Sequence, residues 1–124
     1  MAAYREWEIE FSQTMTTLVT VLDGCQRTCD TRHVPALVAD SDQLLAVARD
    51  VEEGLAARPC PIPSVDRRLT GLARAYHLHG SSLELLAKDG AKVDWPAVGD
   101  QLHVLHQLLA QTVTMMQEHS LRSD

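Results

Sequence analysis

The segment VDRRLTGLARAYHLHGSSLELL, residues 65–86, decides the fold. Its apolar residues recur at alternating steps of three and four, which is the spacing of one buried face of an α-helix. The positions on this face are Val65, Leu69, Leu72, Tyr76, His79, Leu83 and Leu86. Two of them, Tyr76 and His79, are polar, so the segment predicts a helix whose buried face carries a phenol and an imidazole.

Three further segments repeat this spacing, and no segment shows the strict alternation of a half-buried strand. The predicted helices span residues 3–29, 34–57, 64–89 and 95–119. Short connections between long helices force neighbouring helices to run antiparallel. The sequence therefore predicts an all-α, up-down-up-down four-helix bundle in which residues 1–124 form a single domain.

Proline, glycine and short polar residues mark the predicted helix ends. The stretch ARPCPIPS, residues 57–64, has three prolines, which lack the amide hydrogen that a helix needs. Ser64 is then expected to cap the third helix. Gly90 is a predicted helix stop, and Asp94 is the expected cap of the fourth helix.

The overall composition excludes several classes of protein. A formal net charge of −6 disfavours a nucleic-acid surface, because phosphate affinity comes largely from clustered Lys and Arg. No apolar run reaches the ~18 residues of a membrane span, and the start of the chain is acidic where a signal peptide is basic. Three cysteines without framework spacing indicate a reducing compartment. We expect a cytoplasmic protein, and the Ala, Val, Leu, Arg and Asp bias is typical of a high-GC bacterium.

Several apolar residues lie beside or off the predicted seams and favour self-association. They are Ile9, Val19, Val21, Leu45, Val47, Leu78, Leu85, Val104 and Leu108. The expected assembly is therefore a homodimer, although wide core-facing stripes would also account for this surplus.

Antiparallel pairing brings His79 and His106 to nearly the same level of the predicted bundle. Ser41, Tyr76 and Thr112 fall within about one turn of this level. A buried polar group without a partner costs on the order of 1 to 3 kcal/mol. We therefore expect these five side chains to bond to one another, to water or to a ligand.

Three interpretations of His79 remain open from the sequence. It is a core histidine bonded to Tyr76 or to a backbone carbonyl, a group that orients a ligand in a pocket, or a general acid or base. No nucleophile or oxyanion site is visible in the sequence to complete a catalytic mechanism.

The sequence predicts neither a metal site nor a cofactor. Dinuclear helical bundles carry inward carboxylates and ExxH pairs, and no ExxH occurs here. Cys25, Cys29 and His33 follow a regular four-residue step that could gather two thiolates and an imidazole. The alternative is that both cysteines simply continue the apolar seam.

One short motif resembles a known family. Arg74 and His79 are separated by four residues, which matches the minimal pattern of the HEPN ribonucleases. The resemblance covers six residues, and Ala75 stands where those enzymes commonly have a polar residue. It implies an RNA-cleaving site at a dimer groove that uses Arg74 and His79.

The sequence thus leaves two main functional hypotheses beside the HEPN-like one. The first is a noncatalytic module that binds a peptide or an apolar small molecule in an inter-helix or dimer-interface groove. Its ligand-binding residues would be Tyr76, Ser41, Thr112 and Arg74. The second is a cofactor-free acid-base enzyme, for example one that tailors a bacterial peptide natural product, with His79 or His106 as its catalytic residue.

Overall fold

The computed structural model describes residues 2–89 and 92–122, and these residues contain four α-helices and no β-strand. The protein is therefore all-α. The helices are α1 (Ala2–Thr31), α2 (Leu37–Ala57), α3 (Pro63–Asp89) and α4 (Trp95–Arg122). None of these helices is long and apolar enough to span a bilayer.

The first connection contains two features that the sequence did not reveal. Arg32 adopts a left-handed backbone with φ of 52°, and the amide of His33 reaches back to the carbonyl of Thr28 at 3.1 Å. This arrangement ends α1 without the usual glycine. A 3-10 turn, Val34–Ala36, follows it and delays the start of α2 to Leu37.

The other helix starts show where capping was predicted rightly and wrongly. Ser64 is not the cap of α3, because the helix begins at Pro63 and the carbonyl of Ile62 accepts the first amides. Asp94 does cap α4, since its carboxylate accepts the amide of Ala97 at 3.1 Å. Gly90, the predicted stop of α3, lies outside the described residues.

Long-range hydrogen bonds define which helix ends lie together. The Tyr4 hydroxyl donates to the carbonyl of Met116 at 3.3 Å, which places the start of α1 beside the end of α4. The indole of Trp7 donates to the carbonyl of Arg58 at 3.0 Å, just after the end of α2. Trp7 also stacks on Phe11 at 4.8 Å between ring centroids, so aromatic packing fills this end of the protein.

The closest pairing of helices is that between α2 and α3. Gly80 allows this close approach because it has no side chain. An added Cβ would lie 3.0 Å from Cγ of Leu45 and 3.1 Å from Cβ of Leu44. The hydroxyl of Ser41 donates to the carbonyl of Gly80 at 2.7 Å. The role of Gly80 is therefore to let α2 approach the backbone of α3.

The apolar residues predicted to lie off the seams divide into two groups. Val21 and Val47 are buried, and Leu45 and Leu108 are half-buried, so these residues serve the core. The others, including Leu78 at 64% and Leu85 at 68%, are exposed. The exposed group on α3 and α4 consists of Leu78, Leu85 and Val104.

Replacing Gly80 with alanine tests the close approach of α2 and α3. The methyl group improves helix propensity by about 1 kcal/mol but must push Cβ of Leu44 away, which cannot rotate aside. We expect a net loss of about 1 to 2 kcal/mol in the free energy of unfolding, measured by urea denaturation.

Gly71→Ala is the matched control, because a Cβ at Gly71 meets nothing within 4 Å. The control should gain about 0.5 to 1 kcal/mol, and an equal gain at Gly80 would contradict the proposed packing.

Candidate functional site

His79 is buried inside α3, with 4% of its surface exposed. Its ring Nδ1 lies 3.0 Å from Oε1 of Gln101 on α4. A carbonyl oxygen only accepts hydrogen bonds, so Nδ1 carries the hydrogen and donates it. The other ring nitrogen, Nε2, is then an unprotonated acceptor, and it is buried without a hydrogen-bond partner in the described structure.

Burial lowers the pKa of His79, because an apolar environment disfavours the charged imidazolium. The hydrogen bond to Gln101 and the charge of Asp40 oppose this effect and raise the pKa. Burial is the largest of the three causes, so the net shift favours the neutral imidazole. The sequence predicted the position of this imidazole but not its partner Gln101.

Asp40 is the other buried polar residue with an unpartnered side-chain atom. It is 6% exposed, and its Oδ2 has no hydrogen-bond partner among the described residues. Burial raises its pKa, while the Thr28 hydroxyl and the charges of Arg27 and His79 lower it. Asp40 and His79 therefore act on each other electrostatically across α2 and α3.

Sequence analysis missed Asp40, although its position contained a usable signal. Asp40 lies three residues after Leu37 and four before Leu44, so all three lie on one face of α2. The sequence predicted Ser41 as the buried polar residue of this helix, and the structure buries both Ser41 and Asp40. The first turn of α2 also favours a negative charge at this position.

The other residues predicted for the polar layer each bond elsewhere. The hydroxyl of Tyr76 donates to the carbonyl of Leu18 at 3.0 Å, and Ser41 bonds to Gly80. Thr112 donates to the carbonyl of Leu108 within its own helix at 2.7 Å. None of these bonds joins two members of the predicted layer, so of the three expected kinds of partner, bonding to one another is not found, and the partners of these three hydroxyls are backbone carbonyls.

His106 faces a different helix from His79. Its Nε2 lies 3.2 Å from Oε1 of Gln26 on α1, whereas His79 bonds to Gln101 on α4. Gln101 and His106 are five residues apart on one helix, which turns their side chains about 140° away from each other. The two histidines therefore do not share one pocket: the side chains of α4 are rotated apart, and at about 1.5 Å per residue His106 also lies about 7 Å along α4 from the level of Gln101, which His79 contacts.

Arg74 and His79 are likewise not brought together. Arg74 is exposed, and His79 is buried five residues further along α3. A spacing of five residues again places the side chains on different sides of a helix. Within one chain, this geometry does not bring the two side chains together.

The three cysteines are free thiols. Cys25 is buried, and burial raises the pKa of its thiol to about 12. The Cys29 thiol lies 3.9 Å from the carbonyl of Trp95, and His33 is exposed. Within the described ranges, no three His, Cys, Asp or Glu side chains gather closely enough to hold a metal ion.

A surface cavity of about 300 Å³ lies above His79, between α3 and α4. We call it the His79 cavity, and its lining consists of Ala75, Leu78, His79, Ser82, Gln101, Val104 and Leu105. Leu78 and Val104 form its rims and are 64% and 52% exposed. The cavity is thus an open apolar groove with a hydrogen-bonded His79–Gln101 pair in its lining.

The comparisons with protein-family models, with curated proteins and with solved structures found no match. The resemblance to HEPN ribonucleases therefore depends on its six residues alone. Any functional assignment must come from the geometry of the His79 cavity and its surroundings.

Chemically, the site suits binding better than proton transfer. Nδ1 of His79 is occupied by Gln101, and Nε2 is enclosed by protein. A general base must come within hydrogen-bond reach of the proton that it removes. The amide nitrogen of Gln101 and the apolar rims are the groups that an incoming molecule would meet first.

Asp40→Asn should change the pH dependence of stability. Because the pKa of Asp40 is raised on folding, the folded protein loses stability as pH rises through that pKa. The asparagine side chain is never charged, so the variant avoids this loss. Its free energy of unfolding relative to wild type should therefore be higher at pH 7 than at pH 4. Urea denaturation at both pH values measures this gain.

Asp42→Asn is the matched control, because Asp42 is exposed on the same helix. The gain in the free energy of unfolding relative to wild type should rise more between pH 4 and pH 7 for Asp40→Asn than for this control. An equal difference, or one of opposite sign, would show that the buried carboxylate carries no such cost.

Proposed function

We propose that this protein is a binding module that receives a helical segment of a partner protein in the His79 cavity. The supporting observation is the pairing of exposed apolar rims, Leu78 and Val104, with a polar pair in the same cavity. An amphipathic helix places apolar residues in such a groove at spacings of three, four and seven. The Gln101 amide would then give one directional contact in an otherwise apolar interface.

A helical segment suits the cavity better than a small molecule does. Pockets for small molecules bury about 70 to 90% of the ligand surface, which an open groove between two helices does not achieve. The rims themselves are also exposed, so a ligand must cover them from outside to bury their apolar surface. A helix lying along α3 and α4 does this.

The proposal includes the arrangement of the four helices. We propose the up-down-up-down bundle, and cross-helix contacts support it. Arg68 on α3 lies 3.3 Å from Gln111 on α4, and His79 lies 3.0 Å from Gln101. Residue numbers rise along α3 while those of their partners fall along α4, which is the register of antiparallel helices.

A cytoplasmic location is also part of the proposal, supported by free cysteines.

A second copy of the chain is the other candidate occupant of this surface. A homodimer would cover Leu78, Leu85 and Val104, which are exposed on α3 and α4. Sedimentation velocity distinguishes the two cases. A monomer that binds a helical peptide supports the partner segment, whereas a dimer that dissociates on replacing Val104 by aspartate supports the second copy.

A cofactor-free acid-base enzyme is the alternative function. The observation in its favour is the neutral His79 with an unprotonated Nε2. Catalysis would require α3 and α4 to separate enough to expose that nitrogen. The binding function needs no such movement and is therefore preferred.

Val104→Asp tests the proposed function with a defined probe. The probe is a fluorescein-labelled peptide of 18 residues, with leucines at helical spacing, two glutamates at one end, and alanine and glutamine elsewhere. Saturable binding to the wild-type protein should appear in fluorescence polarisation. The aspartate places a charge against the apolar face of the peptide, so affinity should fall about tenfold or more.

Val19→Asp is the control, because Val19 is 40% exposed on α1, outside the cavity. Circular dichroism of both variants checks that they fold. Equal weakening by the two substitutions, or no binding to the wild type, would rule out the His79 cavity as the binding surface.

A further inference from the structure

A second and larger cavity follows the His79 cavity along the same two helices. It has a volume of about 450 Å³, and we call it the Arg68 cavity. Its lining consists of Ser64, Arg67, Arg68, Gly71, Leu72, Leu108, Thr112 and Met115. Leu72 and Leu108 lie one helical turn from Ala75 and Leu105, so the two cavities lie end to end along the seam of α3 and α4.

The side chains that line the two cavities carry positive charge, which is opposite in sign to the net charge of the whole protein. The chain has 17 acidic and 11 basic residues, yet neither cavity is lined by an acidic side chain. Arg67 and Arg68 stand at one end of the seam, and neither forms an ion pair within the described ranges. The guanidinium of Arg68 donates a hydrogen bond to a neutral group, Oε1 of Gln111, at 3.3 Å.

The nearest acid in sequence does not neutralise these arginines. Asp66 directs its carboxylate to the amide of Cys60 at 3.0 Å, at the connection between α2 and α3. Gly71 adds room beside Arg68, because a Cβ at this position would meet nothing within 4 Å. An acidic side chain of a bound partner could therefore reach the guanidinium groups without displacing an existing ion pair.

We propose that the helical segment bound by this protein carries acidic residues at the end that lies over Arg67 and Arg68. This inference rests on the proposed function. The apolar part of the segment lies over Leu78 and Val104, and the acidic part contacts the arginines. His79 lies eleven positions after Arg68 along α3, which corresponds to about 16 Å. The acids of the partner helix thus lie about eleven residues from the side chain that covers His79.

The test is a double-mutant cycle between peptide and protein. The glutamate peptide described above is compared with a peptide in which glutamine replaces both glutamates. The protein is wild type or carries Arg67→Gln and Arg68→Gln together. Glutamate near a helix N-terminus also stabilises the peptide helix itself, and the cycle removes this contribution because it is common to both proteins.

We expect the wild-type protein to bind the glutamate peptide about fivefold more tightly than the glutamine peptide at low salt. The arginine double variant should bind both peptides equally. A variant with Arg49→Gln and Arg122→Gln, which has the same net charge but changes exposed arginines elsewhere, should keep the preference. Added salt should reduce the preference in the wild type.

The possible failures are distinguishable. Equal affinity of the wild type for both peptides, with binding still lost in Val104→Asp, overturns the acidic specificity and leaves the proposed function standing. A preference that disappears equally in the Arg49 and Arg122 control also overturns it, because net charge alone would then explain the result. No binding of either peptide to the wild type overturns both the inference and the proposed function.

Discussion

The arrangement of the protein depends on the approach of α2 to the backbone of α3 at Gly80. Gly80 has no side chain of its own, so Leu44 and Leu45 of α2 pack against its backbone, and Ser41 bonds directly to the Gly80 carbonyl at 2.7 Å. The packing of α3 is most extensive with α2, and its contacts with α4 are fewer. The unequal packing leaves a groove on the α4 side of α3, and it fixes the face of α3 that is presented to that groove.

His79 lies next to this contact and connects the core with the surface. Its Nδ1 edge faces Gln101 at the groove, and its Nε2 edge is enclosed in the protein. Burial in this position lowers the pKa of the ring, and the hydrogen bond to Gln101 and the charge of Asp40 oppose this effect only in part. A buried polar group without a full set of partners is destabilising, so the stability of the core alone does not account for an imidazole at this position.

The sequence predicted the helices well because their determinants are local. Periodicity along α3 identified His79 as buried, and the composition of residues 57–64 identified the break before that helix. Asp94 was predicted as a cap from its position alone, and its contact with Ala97 confirms this. Arg32 was not predicted to end α1, since a left-handed arginine is uncommon and has no sequence signature.

The candidate site was predicted only in part because it depends on rotation about helix axes. Counting residues from the turns gives an approximate height for each side chain in an antiparallel bundle. This count predicted nearly the same height for His79 and His106. Which neighbouring helix each side chain faces depends on a rotation that residue counting does not give. Gln101 and Gln26, the actual partners, were missed because glutamine on an outer face of a helix normally indicates only solvent exposure. The arginines of the Arg68 cavity were visible as a group on one segment, but the groove beside them was not.

The most direct test of this account is the protonation state of His79, measured by ¹⁵N-edited NMR of the imidazole nitrogens between pH 5.5 and 8. The account predicts hydrogen on Nδ1 in the neutral ring and a protonation midpoint below the ordinary histidine value of about 6.5. The His79→Gln variant assigns the signals by their loss. Protonation of His79 with a midpoint near 6.5, or hydrogen on Nε2 in the neutral form, would contradict the hydrogen bond from the buried His79 ring to Gln101 on which the site is built.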